Sequence, residues 1–110
     1  ILQFIKKNNK LAMADISTFE EGINAYNLGF DIISTTLSGY TSYSNCSIKG
    51  PDFELLKKLT SEIDKPVILE GRIWTVDDVN KAFELGAHSV VIGSAVTRPQ
   101  LITERFCKRG

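Results

Sequence analysis

Short apolar runs alternate with amphipathic segments along this sequence, and Gly or Pro separates many of them. The apolar runs have the length of buried strands, whereas the amphipathic segments carry apolar residues at helical spacing. Strands that alternate with helices predict a parallel sheet with helices packed on its faces. The alternation therefore predicts an α/β fold.

Four strand–helix units are predicted after a short amphipathic helix over residues 1–7. The predicted strands cover residues 11–14, 30–37, 67–69 and 88–92, and the predicted helices run to Leu28, Ile63, Leu85 and Phe106. Capping-box spacing predicts two of the helix starts, at Ser17–Thr18 with Glu20–Glu21 and at Thr75 with Asp78. A polar segment, residues 38–50, interrupts the second unit, and long loops of this kind are often functional.

One pattern recurs within the chain. Thr18 and Gly29 flank one predicted helix, and the same residue types occur 57 residues later as Thr75 and Gly86. This offset spans two strand–helix units and favours a symmetric parallel sheet. General helix start and stop signals would produce the same recurring pattern. Internal symmetry and shared helix signals therefore both remain open as interpretations.

Two α/β architectures fit this order of elements, an open doubly wound sheet and a (β/α)8 TIM barrel. A barrel needs about 250 residues and eight strand–helix units, and this chain of 110 residues supplies four. The first residue is Ile1 rather than Met, and the sequence opens within a predicted helix. These features fit a sequence that is half of a larger unit, and both architectures remain open.

Composition excludes several classes of protein. The 13 basic and 13 acidic side chains cancel, which argues against a nucleic-acid-binding protein. No apolar run approaches the roughly 20 residues of a membrane span, and residues 1–7 lack the features of a signal peptide. Two cysteines are too few for a disulfide framework. These features predict a cytoplasmic protein without a membrane or nucleic-acid partner.

Acidic residues at predicted strand ends are the first candidates for chemistry, because parallel α/β folds gather their active sites there. Glu70 ends an apolar strand, where partial burial can raise the pKa of a Glu into the range useful for proton transfer. The alternative for Glu70 is a solvated loop acid. Asp15 ends an earlier strand and either binds a substrate hydroxyl or caps the following turn. Thr36 is a further candidate at a strand end.

Glycines follow the last two predicted strands and indicate an anion site. Gly71 ends one strand and Gly93–Ser94 ends the next, and loops in these positions of a barrel often bind phosphate through backbone N–H groups. Arg72 and Arg98 could add positive charge. The sequence contains no metal-ligand spacing and no Gly-x-Gly-x-x-Gly motif.

The histidine and the aromatic side chains are less informative. His88 lies at the entrance of a predicted strand, where a structural or solvent-exposed role is expected. Trp74 and Phe83 are expected to pack helix against sheet. Tyr40 and Tyr43 lie in the polar segment and are candidates for a lid.

At these same residues the sequence resembles the N-acetylmannosamine-6-phosphate 2-epimerase family of bacterial sialic acid catabolism. The similarity extends from about Asn9 to Phe106, and Ser94 departs from it because Gly is expected there in many members. The matching stretches are Met13–Ser17, Gly29–Asp31, Thr35–Thr41, Glu70–Ile73 and Val91–Pro99.

The resemblance implies a (β/α)8 TIM barrel of which this chain supplies strands 5 to 8, so residues 1–110 are expected to be the C-terminal half of a single barrel domain. It also implies interconversion of N-acetylmannosamine 6-phosphate and N-acetylglucosamine 6-phosphate by removal and return of the proton at C2. The implied reaction needs no redox cofactor and no metal. The implied substrate is thus a phosphorylated amino sugar.

Site roles follow from the same resemblance. Glu70 would be the catalytic carboxylate, and Asp15 would position the sugar or assist the proton transfer. Arg98, with the backbone at Gly71, Gly93 and Ser94, would hold the substrate or its phosphate. Thr36 and Arg72 remain further candidates for substrate or phosphate binding.

The family's catalytic Lys belongs to the N-terminal half of the barrel, and no Lys of this sequence follows a predicted strand. We therefore expect the isolated chain to bind substrate weakly and to turn it over negligibly. A homo-oligomer, or pairing with the missing half, is expected because a half-barrel exposes two sheet edges. Two other hypotheses for the function remain open. The chain could belong to another phosphate-binding barrel enzyme, or it could be a non-catalytic half-barrel that self-associates.

Overall fold

The structure is a computed structural model, and it describes residues 1–108. The four strands of its sheet are β1 (Met13–Asp15), β2 (Ile32–Ser34), β3 (Val67–Glu70) and β4 (Ser89–Val91). The helices are α1 (Leu2–Lys7), α2 (Phe19–Leu28), α3 (Phe53–Glu62), α4 (Val76–Glu84), α5 (Ser94–Thr97) and α6 (Pro99–Cys107). This order confirms the predicted alternation. The short helix α5 was not predicted. Strand β2 ends earlier than its apolar run because residues 35–38 form a turn. In this turn the Ser38 N–H donates a hydrogen bond to the Thr35 carbonyl at 3.0 Å.

The strands form one parallel sheet whose spatial order, β1-β2-β3-β4, is also their order along the chain. Asp15 pairs with Ser34 across the first two strands, and Glu70 pairs with Val91 across the last two. A doubly wound sheet reverses its strand order at a switch point. The sequential order over residues 1–108 is that of consecutive strands in a barrel.

The packed helices cover one face of the sheet. Ala14, Ile33 and Leu69 point to this face and are buried in the main hydrophobic core. The same core contains side chains of the three longer helices that cross between strands, namely Ala25 of α2, Leu55, Leu56 and Leu59 of α3, and Ala82 of α4. Burial of these apolar groups supplies the main driving force for folding.

The opposite face of the sheet is open. Met13 and Asp15 of β1 are exposed there, and Ile32 and Ile68 line a cavity of about 540 Å³ toward the amino ends of the strands. The radius of gyration is 15.3 Å, against about 13 Å for a compact domain of similar length. Helices outside and a bare inner face are the arrangement of a barrel wall. The chain is therefore a four-unit part of a (β/α)8 barrel.

Local capping explains where two of the helices begin. The Thr18 side chain accepts a hydrogen bond from the Glu21 N–H at 3.2 Å, and the Thr75 side chain accepts one from the Asp78 N–H at 3.0 Å. The backbone angles of the two threonines agree closely, with φ −132° and −131°. The recurring sequence pattern thus corresponds to two equivalent helix starts. Within residues 1–108 no helix is both long and apolar enough to cross a membrane.

Candidate active site

A cavity of about 320 Å³ opens at the carboxyl ends of β3 and β4. Glu70 and Gly71 line it from β3, and Gly93 and Ser94 line it from β4. Because Glu70 and Val91 are paired in register on parallel strands, the residues that follow them emerge at the same edge. The Glu70 carboxylate and the Gly93–Ser94 turn therefore line the same cavity.

The side chain of Thr35, the residue directly after β2, binds the backbone of Glu70 and adds to the backbone hydrogen bonds between the strands. The buried Thr35 hydroxyl accepts a hydrogen bond from the Glu70 N–H at 3.1 Å and donates to the Glu70 carbonyl at 3.2 Å. Glu70 itself is half-buried and lines the cavity, so it is not a freely solvated loop acid. Its backbone is fixed just where the strand ends.

One hydroxyl connects the two predicted carboxylates. Thr36 Oγ1 lies 2.8 Å from Glu70 Oε2 and 3.2 Å from Asp15 Oδ1. A hydroxyl carries one proton, so it donates to one of these oxygens at a time. The buried Ser34 hydroxyl lies 2.6 Å from Thr36 Oγ1 and is also within hydrogen-bonding distance. Thr36, Asp15 and Glu70 therefore form one hydrogen-bonded cluster at the strand ends.

Asp15 lies at the open side of this cluster. It is exposed at the end of β1, and it is not among the residues that line the 320 Å³ cavity. It does not cap the following helix either, since the N-cap of α2 is Thr18. Asp15 is accessible to a molecule that approaches the bare inner face of the sheet.

The predicted phosphate residues separate into two groups. Gly71, Gly93 and Ser94 line the cavity with Glu70, and α5 begins directly after Gly93. Arg98 lies beyond the cavity lining at the junction of α5 and α6, with its guanidinium next to the side-chain amide of Gln100. The structure thus brings the glycine turns to Glu70 and leaves Arg98 on the surface nearby.

Arg72 also lines the cavity, but its side chain is engaged by the protein. Its Nε donates to the Gly50 carbonyl at 2.8 Å, and its guanidinium carbon lies 5.1 Å from the centre of the Tyr40 ring. The backbone turns sharply here, with φ +112° at Gly71 and φ +59° at Arg72. Left-handed φ is uncommon for a residue that has a Cβ.

Two expectations for aromatic residues require correction. Trp74 lines the cavity beside Glu70, and Arg105 lies over its ring at 4.9 Å, so it does not serve only to pack helix against sheet. Phe83 is 49% exposed rather than buried between α4 and the sheet. The sequence signal that could have placed Trp74 at the cavity is its position just before the N-cap Thr75. A residue at that position lies outside the helix and belongs to the preceding loop.

The remaining expectations agree with the structure or are refined by it. Tyr40 lines the cavity and Tyr43 is 82% exposed, so only the first of the two predicted lid residues reaches the site. His88 is exposed ahead of β4, and its Nδ1 lies 2.7 Å from the Ser89 hydroxyl. That position is at the end of the strand remote from the cavity, as predicted.

This arrangement can support proton transfer beside an anion site. A half-buried carboxylate with a hydroxyl at 2.8 Å is held in a defined orientation within a cavity. Backbone N–H groups of glycine turns and of a helix start are suited to bind an anion. The same cavity therefore presents a candidate acid/base group and a candidate phosphate cradle.

Known proteins resemble this chain over nearly its whole length. The model of a family described as "Putative N-acetylmannosamine-6-phosphate epimerase" matches residues 1–109. A protein of Clostridioides difficile named "Putative N-acetylmannosamine-6-phosphate 2-epimerase" is 53% identical over 108 residues, which are 98% of this chain and 48% of the relative. The chain spans about half the length of the curated relatives it matches.

Solved structures show the same relationship. The N-acetylmannosamine-6-phosphate 2-epimerase from Clostridium perfringens superposes with a TM-score of 0.90 at 56% identity, over 96% of this chain and 45% of that protein. The M276A mutant of FabK from Thermotoga maritima has a TM-score of 0.68 at 20% identity, over 84% of this chain and 31% of that protein, and this likeness shows the fold alone. From its family match, its relatives and its fold, the chain belongs to the N-acetylmannosamine-6-phosphate 2-epimerase family.

Proposed function

We propose that this chain is the C-terminal half of an enzyme that interconverts N-acetylmannosamine 6-phosphate and N-acetylglucosamine 6-phosphate in amino-sugar catabolism. The observation that carries the proposal is the shared cavity, in which Glu70 and the Gly93–Ser94 turn lie on neighbouring parallel strands. The 56% identity to the Clostridium perfringens epimerase supports the choice of substrate. The cytoplasmic location stays a prediction.

The proposed chemistry is inversion at C2 of the ring-opened sugar. A carboxylate at Glu70 acts as an acid/base group, since it lies in the cavity and is oriented by the Thr36 hydroxyl at 2.8 Å. When the C2 proton leaves, the electron pair of the C–H bond forms a C1–C2 double bond, and the π electrons of the C1 carbonyl move onto its oxygen, which gives an enolate. Return of a proton to the opposite face of C2 restores the carbonyl and completes the inversion. This chemistry requires no redox cofactor and no metal.

The other residues are assigned to binding. Backbone groups at Gly71, Gly93 and Ser94 would hold the 6-phosphate, which matches the phosphate position found after the last two strands of many barrels. Arg98 is close enough along the chain to add charge if its side chain turns toward the anion. Asp15 would accept a hydrogen bond from a sugar hydroxyl at the open side of the Thr36 cluster.

The chain alone is expected to be inactive. By resemblance, a catalytic Lys and further substrate contacts belong to the half of the barrel that lies outside this sequence. β1 and β4 are each paired on one side only within residues 1–108, and the inner face of the sheet is bare. We therefore propose that a second four-strand unit, from the rest of the barrel or another copy, covers this face. A monomeric chain of 12.2 kDa by light scattering would contradict self-association.

The decisive experiment uses a chimeric epimerase, in which this chain replaces the matching segment of the Clostridium perfringens enzyme. Exchange of the C2 proton of N-acetylmannosamine 6-phosphate with D2O is followed by NMR. Glu70→Gln should abolish exchange, whereas Glu62→Gln, at the end of α3, should leave it unchanged. Exchange retained in the Glu70→Gln protein would remove this carboxylate from the mechanism. Rapid turnover by the isolated chain would contradict the need for the other half.

A further inference from the structure

The side chain of Arg72 joins the polar loop of residues 38–50 to the turn after β3. We infer that Arg72 is a positioning residue, which clasps this loop so that Tyr40 forms one wall of the cavity. The clasp itself is a structural property of the chain, and only its effect on turnover rests on the proposed function. This role replaces direct phosphate binding as our assignment for Arg72.

Three contacts of one guanidinium make the clasp. Its Nε donates to the Gly50 carbonyl at 2.8 Å, and its carbon lies 5.1 Å from the centre of the Tyr40 ring. It also lies close against Gly39, where an added Cβ would be 2.7 Å from Nη1. Gly39 and Tyr40 begin the loop and Gly50 ends it, so one side chain contacts both ends.

The residue types at these positions suit the contacts. A guanidinium is planar and can donate in its plane while an aromatic ring packs on its face, which a lysine ammonium cannot do with the same geometry. Gly39 has φ +84° and leaves room for that plane. Any other residue at position 39 would have a strained backbone at this φ, and its Cβ would clash with the guanidinium.

The backbone at Arg72 supports the same interpretation. Arg72 adopts φ +59° immediately after Gly71 at φ +112°. A strained backbone of this kind persists where surrounding contacts determine it, and such residues cluster at functional sites. The contacts with Gly39, Tyr40 and Gly50 supply that determination. They connect the turn that follows Glu70 to the loop that carries Tyr40.

The placement of Tyr40 at the cavity wall depends on this connection. Within the loop, hydrogen bonds centre on the Ser44 hydroxyl, which accepts from the Gly39 N–H at 2.9 Å and donates to the Thr41 carbonyl at 3.0 Å. These bonds shape the loop but do not attach it to the β3–α4 turn. Loss of the Arg72 contacts should therefore release Tyr40 from the cavity and leave the sheet intact.

Cleavage of the chain by endoproteinase Lys-C tests the clasp without any substrate. Lys49 lies in the loop, and Lys57 and Lys58 lie in α3 and report on global unfolding. Arg72→Gln and Gly39→Ala should each accelerate cleavage after Lys49 by about tenfold, with cleavage in α3 changed less than twofold. Arg105→Gln is the matched control, because this arginine packs on Trp74 rather than on the loop.

An unchanged rate at Lys49 in the Arg72→Gln chain would overturn the clasp. Equal acceleration at Lys49 and in α3 would also overturn it, since that result would show general destabilisation rather than release of the loop. Both readouts remain valid if the proposed epimerase activity is wrong, so failure of the clasp and failure of the function are distinguishable.

Kinetics of the chimeric epimerase separate positioning from phosphate binding. Arg72→Gln and Tyr40→Leu should each raise KM by about tenfold and lower kcat by less than threefold, because both release the same wall of the cavity. Inhibition by inorganic phosphate should be equally strong in both variants. Weaker phosphate inhibition in Arg72→Gln alone would assign Arg72 to phosphate and overturn the positioning role. If the unsubstituted chimera has no turnover, the Lys-C result decides.

Discussion

The Thr35 hydroxyl satisfies both backbone groups of Glu70, accepting from its N–H at 3.1 Å and donating to its carbonyl at 3.2 Å. Thr35 is fully buried, so these bonds have no competition from water. They extend the contact between β2 and β3 past the last paired residues of the ladder, Ser34 and Ile68. The end of β3, and with it the Glu70 side chain, is thereby held against its neighbour.

Thr35→Val should destabilise the chain by about 1–3 kcal/mol, because it keeps the shape of the side chain but leaves buried backbone groups of Glu70 unsatisfied. Thr35→Ser keeps the hydroxyl and loses one methyl, so it should cost about 1 kcal/mol. Urea-induced unfolding followed by circular dichroism gives both values. A Val variant as stable as the Ser variant would show that the two hydrogen bonds contribute nothing to stability.

Thr36→Val should lower the turnover of the chimeric epimerase about tenfold or more, because the hydroxyl that orients Glu70 at 2.8 Å is lost. Thr36→Ser should stay within threefold of the unsubstituted chimera, since it retains the hydroxyl. The measurement is kcat for N-acetylmannosamine 6-phosphate at saturating substrate. Equal kcat in the Val and Ser variants would remove Thr36 from the positioning of the carboxylate.

Local features of this fold are predictable from sequence because their partners are close along the chain. Thr18 and Glu21 are three residues apart, and Gly29 ends the same helix with φ +100°. Alternation of apolar runs with such helices was sufficient to predict the α/β class. It could not distinguish a barrel from a doubly wound sheet, since strand order is a property of long-range pairing.

The cluster around Thr36 could not be predicted in the same way. Thr36 and Glu70 are 34 residues apart, and their contact depends on the register that pairs Ser34 with Ile68. The periodicity placed Thr36 within a strand, whereas it lies in the turn after β2. The contact between the Thr36 hydroxyl and the Glu70 carboxylate therefore became known only from the structure.

The pH dependence of stability should show the hydrogen bonds that Glu21 accepts from Ser17, just before α2. Hydrogen bonds from Ser17, first of all from its hydroxyl, lower the pKa of Glu21 below the ordinary value of 4.5. A lowered pKa in the folded state contributes stability that is present above about pH 4.5 and is lost as the pH falls through the folded pKa. Glu21→Gln should thus be less stable than the unsubstituted chain at pH 7.

The difference between the two proteins should shrink as the pH falls below about 4.5, because the unsubstituted chain then also lacks the carboxylate. Urea unfolding at a series of pH values measures it. Glu20→Gln, in the same first turn of α2, removes one charge and serves as the control for general charge effects. A stability difference for Glu21→Gln that stays constant from pH 7 to about pH 3 would contradict a contribution of these hydrogen bonds to stability.

Gly22 marks the closest approach of α2 to α3. A Cβ at this position would lie 2.5 Å from Leu59 Cδ2, and Leu59 is fully buried. Gly22→Ala gains about 1 kcal/mol of helix propensity but forces a buried side chain to move, which costs about 1–3 kcal/mol. We expect a net loss of stability, whereas Gly50→Ala, where a Cβ meets open space, should be close to neutral.

The sign of the Gly22 effect should reverse when Leu59 is shortened. Leu59→Ala leaves a cavity at the contact and should cost about 2–5 kcal/mol by itself. In that background the methyl of Gly22→Ala occupies part of the empty space and keeps its gain in helix propensity, so it should stabilise the chain. Urea unfolding of the four proteins of this cycle measures the coupling. The same sign in both backgrounds would mean that Gly22 is not required by the approach of the two helices.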